Sequence, residues 1–393
     1  MKKIILNPKV YFAVIYCLLF LMFISYAFAL YRFYSVFLDA TFILLIIWFA
    51  ITAYKNFFRD RILIIFILIL IPFLGALIGF NIDMFENNFA EYGALISIIL
   101  IIYISYGSNI GLDEIKHFNK LYFFLPFILL FGLFFDFAIT SHGELKFGFE
   151  NQNSFALYIL IVFMNNVLCL FLEKKTVFRV IGGISLLLSF VFLYFTGSRT
   201  SFIIATMFGV LAVFVLLRKN INKVVFQSMI FIAMLFPIIF PIVYMVAWNL
   251  LGSSNISFLG RTVFTNRELL WIEVPNNLPL FLSSNYLNMD DFLYTSQGGH
   301  NIYFSFVWGY GITSFLIFTG YFLTMISKKI CSNNKHINKI SIIAFALLFL
   351  HGSFEDTFYR NIWVIVFGFL FFMMSTKDET NKEVMFGEKE VAF

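Results

Sequence analysis

The chain has 393 residues, 61% of them hydrophobic and only 12% charged, with a mean hydropathy of +0.91. A soluble domain carries roughly 25% charged residues, so water is excluded as the main solvent of this one. The net charge of +5 calls for no nucleic acid, because the placement of the basic residues accounts for it as membrane topology.

A hydrocarbon core about 30 Å thick takes around 20 apolar residues per helix, and runs of that kind recur along the whole chain. The expected fold is an all-α polytopic membrane protein, a single transmembrane domain over 1–393 with about twelve helices. In chain order the spans are 10–30, 35–54, 62–80, 89–106, 121–139, 154–172, 177–196, 200–217, 223–247, 301–327, 338–353 and 360–376. Residues 248–300 break the rhythm. A loop there is far longer than the usual connection of about 4 to 6 residues, and such loops carry function. Met1-Lys2-Lys3, the following apolar run and Ala27-Phe28-Ala29 have the look of a secretory leader. That run exceeds the 7 to 15 residues of a signal core, so it is expected to stay as the first helix. Cys17 and Cys169 fall within spans and Cys331 in a basic loop, which gives neither a disulfide framework nor a zinc spacing.

Lys and Arg concentrate in cytoplasmic loops. With both termini and the 328–339 loop inside, alternate breaks hold 21 of the 27 basic residues, among them Lys9, Lys116, Lys120, Lys174, Lys175 and Arg179. The other six are Arg32, Lys146, Arg199, Arg261, Arg267 and Arg360, and five of these are arginines. Snorkelling to a headgroup accounts for Arg32. For the rest, the guanidinium fork grips phosphate oxygens bidentately, which lysine does not copy, so a diphosphate ligand on the outer face explains the choice.

The outer segments carry the candidate chemistry. Phe147-Gly148-Phe149-Glu150-Asn151-Gln152-Asn153-Ser154 mixes aromatics with amides, suited to a sugar face and equally ordinary at an interface. Thr196-Gly197-Ser198-Arg199-Thr200-Ser201 joins two spans so tightly that Arg199 must lie near the membrane surface. Its hydroxyls suit a helix cap whose positive end favours an anion, with a plain hairpin cap as the alternative. In the long loop, Gly260-Arg261-Thr262 precedes Thr265-Asn266-Arg267-Glu268, where Thr265 and Glu268 have capping-box spacing ahead of Trp271. Topology leaves His142, His300 and His351 outside. His300 stands in Gly298-Gly299-His300-Asn301, where the loop meets a span, and His351 opens a turn with Glu355 and Asp356. Asn153, Ser198, Asn301, His351 and Glu355 are the candidate substrate contacts.

The span centres hold no Asp, Glu, Lys or Arg, which counts against an ion-coupled transporter. Asn165 and Asn166 predict interhelical hydrogen bonding, and Pro237 with Pro241 predicts a kink.

The order and common outer placement of Gly148-Phe149-Glu150-Asn151-Gln152-Asn153, Gly197-Ser198-Arg199, Arg261 or Arg267 followed by Trp271, and His300-Asn301 with Gly311 resemble the O-antigen polymerase and O-antigen ligase superfamily. The resemblance covers most of the chain. It implies a helical membrane glycosyltransferase of the bacterial inner membrane, its active site facing the periplasm, acting on undecaprenyl-diphosphate-linked oligosaccharide with no cofactor or metal. It also implies roles: Arg199 with one of Arg261 and Arg267 holds the diphosphate, and His300 is the base that activates the acceptor hydroxyl. A chain-length regulator and a flippase are the expected protein partners. The expected activity is an inverting polymerisation of lipid-linked repeat units. The alternatives are a ligase acting on lipid A core, a flippase for the same lipid, and a non-enzymatic sensor or scaffold.

Overall fold

The computed structural model describes residues 7–56, 100–101, 104, 110, 112–149, 151–217, 222–251, 257–258, 261–262, 320 and 336–354. Helix α1 (Pro8–Ala27) starts on Asn7, whose Oδ1 accepts from the Lys9 N–H at 3.0 Å. Pro8 occupies the first turn, where a missing N–H leaves no bond unmade. A short turn with Ala29 at φ +58° sends the chain back along α1 as α2 (Tyr31–Asn56).

Two helices follow almost without interruption, α3 (Leu112–Asn119) and α4 (Leu121–Gly132), with Lys120 between them in helical conformation. After a 3-10 turn at Asp136–Ala138 comes α5 (Gln152–Leu172), capped by Asn151 Oδ1, which accepts from the Ser154 N–H at 2.9 Å. Then come α6 (Thr176–Phe195), α7 (Arg199–Leu217) and α8 (Lys223–Leu251), the last with Pro237 and Pro241 inside it. Ser257–Phe258 (β1) pairs antiparallel with Arg261–Thr262 (β2), and α9 (His336–His351) closes the described chain. Among the described residues, six helices (α1, α2, α5, α6, α7 and α8) are long and apolar enough to cross a membrane, while α9 is apolar but shorter.

The core sits on α5. It is apolar around its circumference, and Phe155 to Cys169 are buried without a break against α3, α4, α6, α7 and α9. A helix hydrophobic on every side belongs in the middle of a bundle. By contrast α6 and α7 leave large apolar side chains such as Leu187, Tyr194 and Val210 exposed, as a face against lipid tails requires. Asn165 and Asn166 are buried polar residues within it, and Asn166 Nδ2 donates to Ser185 Oγ on α6 at 2.8 Å, the interhelical bond expected there.

One expected span is displaced. The run 121–139 predicts a helix of that extent, but the helical stretch covers Leu112–Asn119 and Leu121–Gly132 and stops there. Beyond Gly132 the backbone is drawn into a local turn, where Thr140 N–H donates to Glu144 O at 2.8 Å, and onto the end of α6, where Leu145 N–H donates to Phe195 O at 3.0 Å. Apolar residues mark where a chain is buried, not which backbone it adopts, so hydropathy alone misplaced this end. Spans 62–80 and 360–376, most of 89–106 and of 301–327, most of the 248–300 loop and both chain termini lie outside the described residues.

Candidate functional site

Among the described residues, Lys9, Lys116, Lys120, Lys174 and Lys175, which the sequence assigns to one face, collect at one end of the bundle. Lys9 on α1 forms an ion pair with Glu114 on α3, and Lys116 Nζ donates to the Leu172 carbonyl at 3.2 Å. Lys120 forms an ion pair with the nearly enclosed Glu173, which sits between α5 and α6, and its ammonium also lies 4.6 Å from the centre of the Phe178 ring. Glu173 Oε1 accepts from the N–H groups of Lys174 and Lys175, each at 2.9 Å. Burial pushes the Glu173 carboxyl up, but the Lys120 hydrogen bond and those two backbone donors outweigh it and bring the pKa down to about 2.

At the opposite end, the segment after α4 folds onto the helix tips. Gly148 N–H donates to Ala27 O at 2.9 Å, and Tyr31 Oη donates to Gly148 O at 2.6 Å. A Cβ at Gly148 would stand 2.2 Å from Tyr26 O and 2.7 Å from Ala29 N, so only glycine fits there. Phe147 and Phe149 are buried rather than presented to a sugar: Phe147 packs on Phe155, and Phe149 on Tyr26 and Tyr158. Asn153, in the first turn of α5, is half-buried at this same end, and His142 is exposed at the loop tip.

The tight connection between α6 and α7 is built from hydroxyls. Thr196 caps α6, its Oγ1 donating to Leu193 O at 2.7 Å and accepting from the Ser198 N–H at 3.2 Å. Gly197 takes φ +66°, the left-handed conformation that closes a helix without a Cβ clash. Arg199 is the first residue of α7 and is half-buried. Behind it, Ser198 Oγ donates to Ser201 Oγ at 3.2 Å, and Ser201 Oγ shares a 3.0 Å hydrogen bond with Nε2 of His351, the last residue of α9. Ser198, Ser201 and His351 are all buried. The Ser201 hydroxyl has one proton to give and two lone pairs to accept with, so it serves either protonation state of the imidazole.

Of the residues singled out in the sequence, Ser198, Arg199 and His351 thus come together at one turn, with Asn153 at the same end of the bundle. Arg261 lies in β2 with its backbone paired to Phe258. Arg267, His300, Asn301 and Glu355 lie outside the described residues. The contact that sequence reasoning missed is Ser201 with His351. A signal for it existed, since topology puts both at helix ends on one side, but nothing in one sequence says which helix ends touch.

A bundle of membrane-length apolar helices, segregating charge to its two ends, defines a multi-pass helical membrane protein. The chain matches no family model, no curated protein and no solved structure.

Proposed function

We propose that the protein is a metal-independent, inverting glycosyltransferase of the bacterial inner membrane. In this reading it polymerises undecaprenyl-diphosphate-linked oligosaccharide repeat units, on the periplasmic side, into O-antigen, capsule or a related surface polysaccharide. The observation that carries the reading is a half-buried arginine, Arg199, opening a membrane-length helix at the end of the bundle away from the paired lysines. The first N–H groups of a helix have no intrahelical partner and form a natural anion site, and a guanidinium beside them suits a diphosphate.

The chemistry follows from the carrier. The acceptor hydroxyl attacks the anomeric carbon, its proton passes to His300, and the bond from that carbon to the diphosphate oxygen breaks. Charge grows on the leaving diphosphate, and Arg199 with Arg261 or Arg267 neutralises it. The diphosphate is a sufficient leaving group without a Lewis acid.

Purified protein supplied with carrier-linked repeat units tests this directly. Wild type should make polymer. Arg199→Lys, which keeps the charge but loses the fork, should lose most activity, because a charge-assisted hydrogen bond is worth about 1.5–3 kcal/mol. Near-normal polymer from the lysine variant at matched protein level would reduce Arg199 to an interfacial anchor. In cells, deletion leaving single repeats on the surface fits the polymerase. Finished chains stranded on the carrier would mean a ligase, and accumulation at the cytoplasmic face a flippase.

A further inference from the structure

We infer that His351 is a positioning residue for diphosphate binding, holding the Arg199 turn in place through its hydrogen bond to Ser201. This rests on the diphosphate reading above. Gly197 makes the turn tight, yet glycine restricts the backbone less than any other residue and cannot by itself fix where the next side chain starts. The constraint comes from across the bundle. Ser201 lies in the first turn of α7, two residues after Arg199, and its Oγ is held by Ser198 on one side and by Nε2 of His351 on the other.

The clamp joins helices far apart in sequence, and all three of its side chains are buried. Hydrogen bonds in such a place are costly to leave unmade, so they hold one geometry firmly. The same burial separates this role from that of a general base: His351 has no solvent-exposed surface and its Nε2 already meets Ser201, so an acceptor hydroxyl has no approach to that nitrogen. His351 acts on the ligand through the turn that carries Arg199.

The test is binding of undecaprenyl diphosphate to the full chain in nanodiscs of zwitterionic lipid, followed by titration calorimetry. His351→Ala and Ser201→Ala should each weaken binding about fivefold to tenfold, the effect of one net hydrogen bond, and the double variant should be no weaker than either. His351→Gln, whose amide reaches a similar distance, should return affinity to within about twofold of wild type. In an Arg199→Ala background, His351→Ala should add no further loss, a coupling that a merely structural tie does not produce. Should His351→Ala fail to fold, Ser201→Ala and His351→Gln carry the same test. Wild-type affinity in His351→Ala or Ser201→Ala overturns the inference, as does a His351→Ala effect that persists unchanged without Arg199. No binding by wild type overturns the diphosphate reading itself, and this inference with it.

Discussion

At the lysine-bearing end of the bundle cations meet carboxylates directly, Lys9 with Glu114 and Lys120 with Glu173, whereas the Arg199 turn is built from hydroxyls and an imidazole. The two ends face different demands. At the lysine end Glu173 joins α5 and α6 through the Lys120 ion pair and the Lys174 and Lys175 N–H groups. At the other end, hydroxyls and an imidazole tie the start of α7 to the end of α9. The comparison teaches that the two ends of one helical bundle are tied by different chemistry, ion pairs at one and hydroxyl–imidazole hydrogen bonds at the other.

The largest expected effect breaks the Arg199 end as a structure. Gly148→Ala drives a methyl group into the Tyr26 carbonyl and the Ala29 backbone, neither of which can rotate aside. It should destabilise the protein by about 4 kcal/mol or more, in the class of overpacked and strained sites. Loss of the folded species on size-exclusion chromatography in detergent is the check, and a normal thermal transition would mean that the loop is not seated on the α1–α2 turn.

Next comes the lysine end. Lys120→Ala strips a nearly enclosed carboxylate of its cation and should cost about 3 kcal/mol. The acid response sharpens this. Because the folded Glu173 carboxyl is held at about 2, below its ordinary 4.5, it contributes stability above about pH 4.5 that is lost as pH falls through 2. In Lys120→Ala burial works against fewer opposing donors, so the carboxyl moves up towards its ordinary value and less stability is lost between pH 4.5 and 2 than in wild type. Thermal melts between pH 6 and 2 read the difference, and superimposable acid profiles would remove Lys120 as the cause.

The smallest effect is Lys9→Ala. Its ion pair with Glu114 is solvent-exposed, with Lys9 54% open, so its removal should change stability by about 0–1 kcal/mol. A loss as large as that of Lys120→Ala would show that exposure does not separate these two pairs.

How much of this was legible beforehand depends on the range of the forces involved. The sequence by itself determined the helices of α1, α2, α5 to α9 to within a few residues, because a run of apolar residues long enough for a membrane, broken by short polar stretches, is a local property. It determined that Lys9, Lys116, Lys120, Lys174 and Lys175 share one end of the bundle and Arg199 the other, because alternation along a chain of spans fixes that order. It also marked the Asn166 pair and the hydroxyl-rich turn by composition. Only the tertiary structure decided that α5 is the central helix, that Gly148 is wedged against the α1–α2 turn, that Phe147 and Phe149 are core, that α4 stops at Gly132, and that His351 meets Ser201. Those outcomes rest on contacts between residues far apart in sequence, the last pair separated by 150 positions. In a bilayer many helix faces are equally apolar, so hydropathy ranks none of them, and close packing with a few buried polar bonds selects the neighbours.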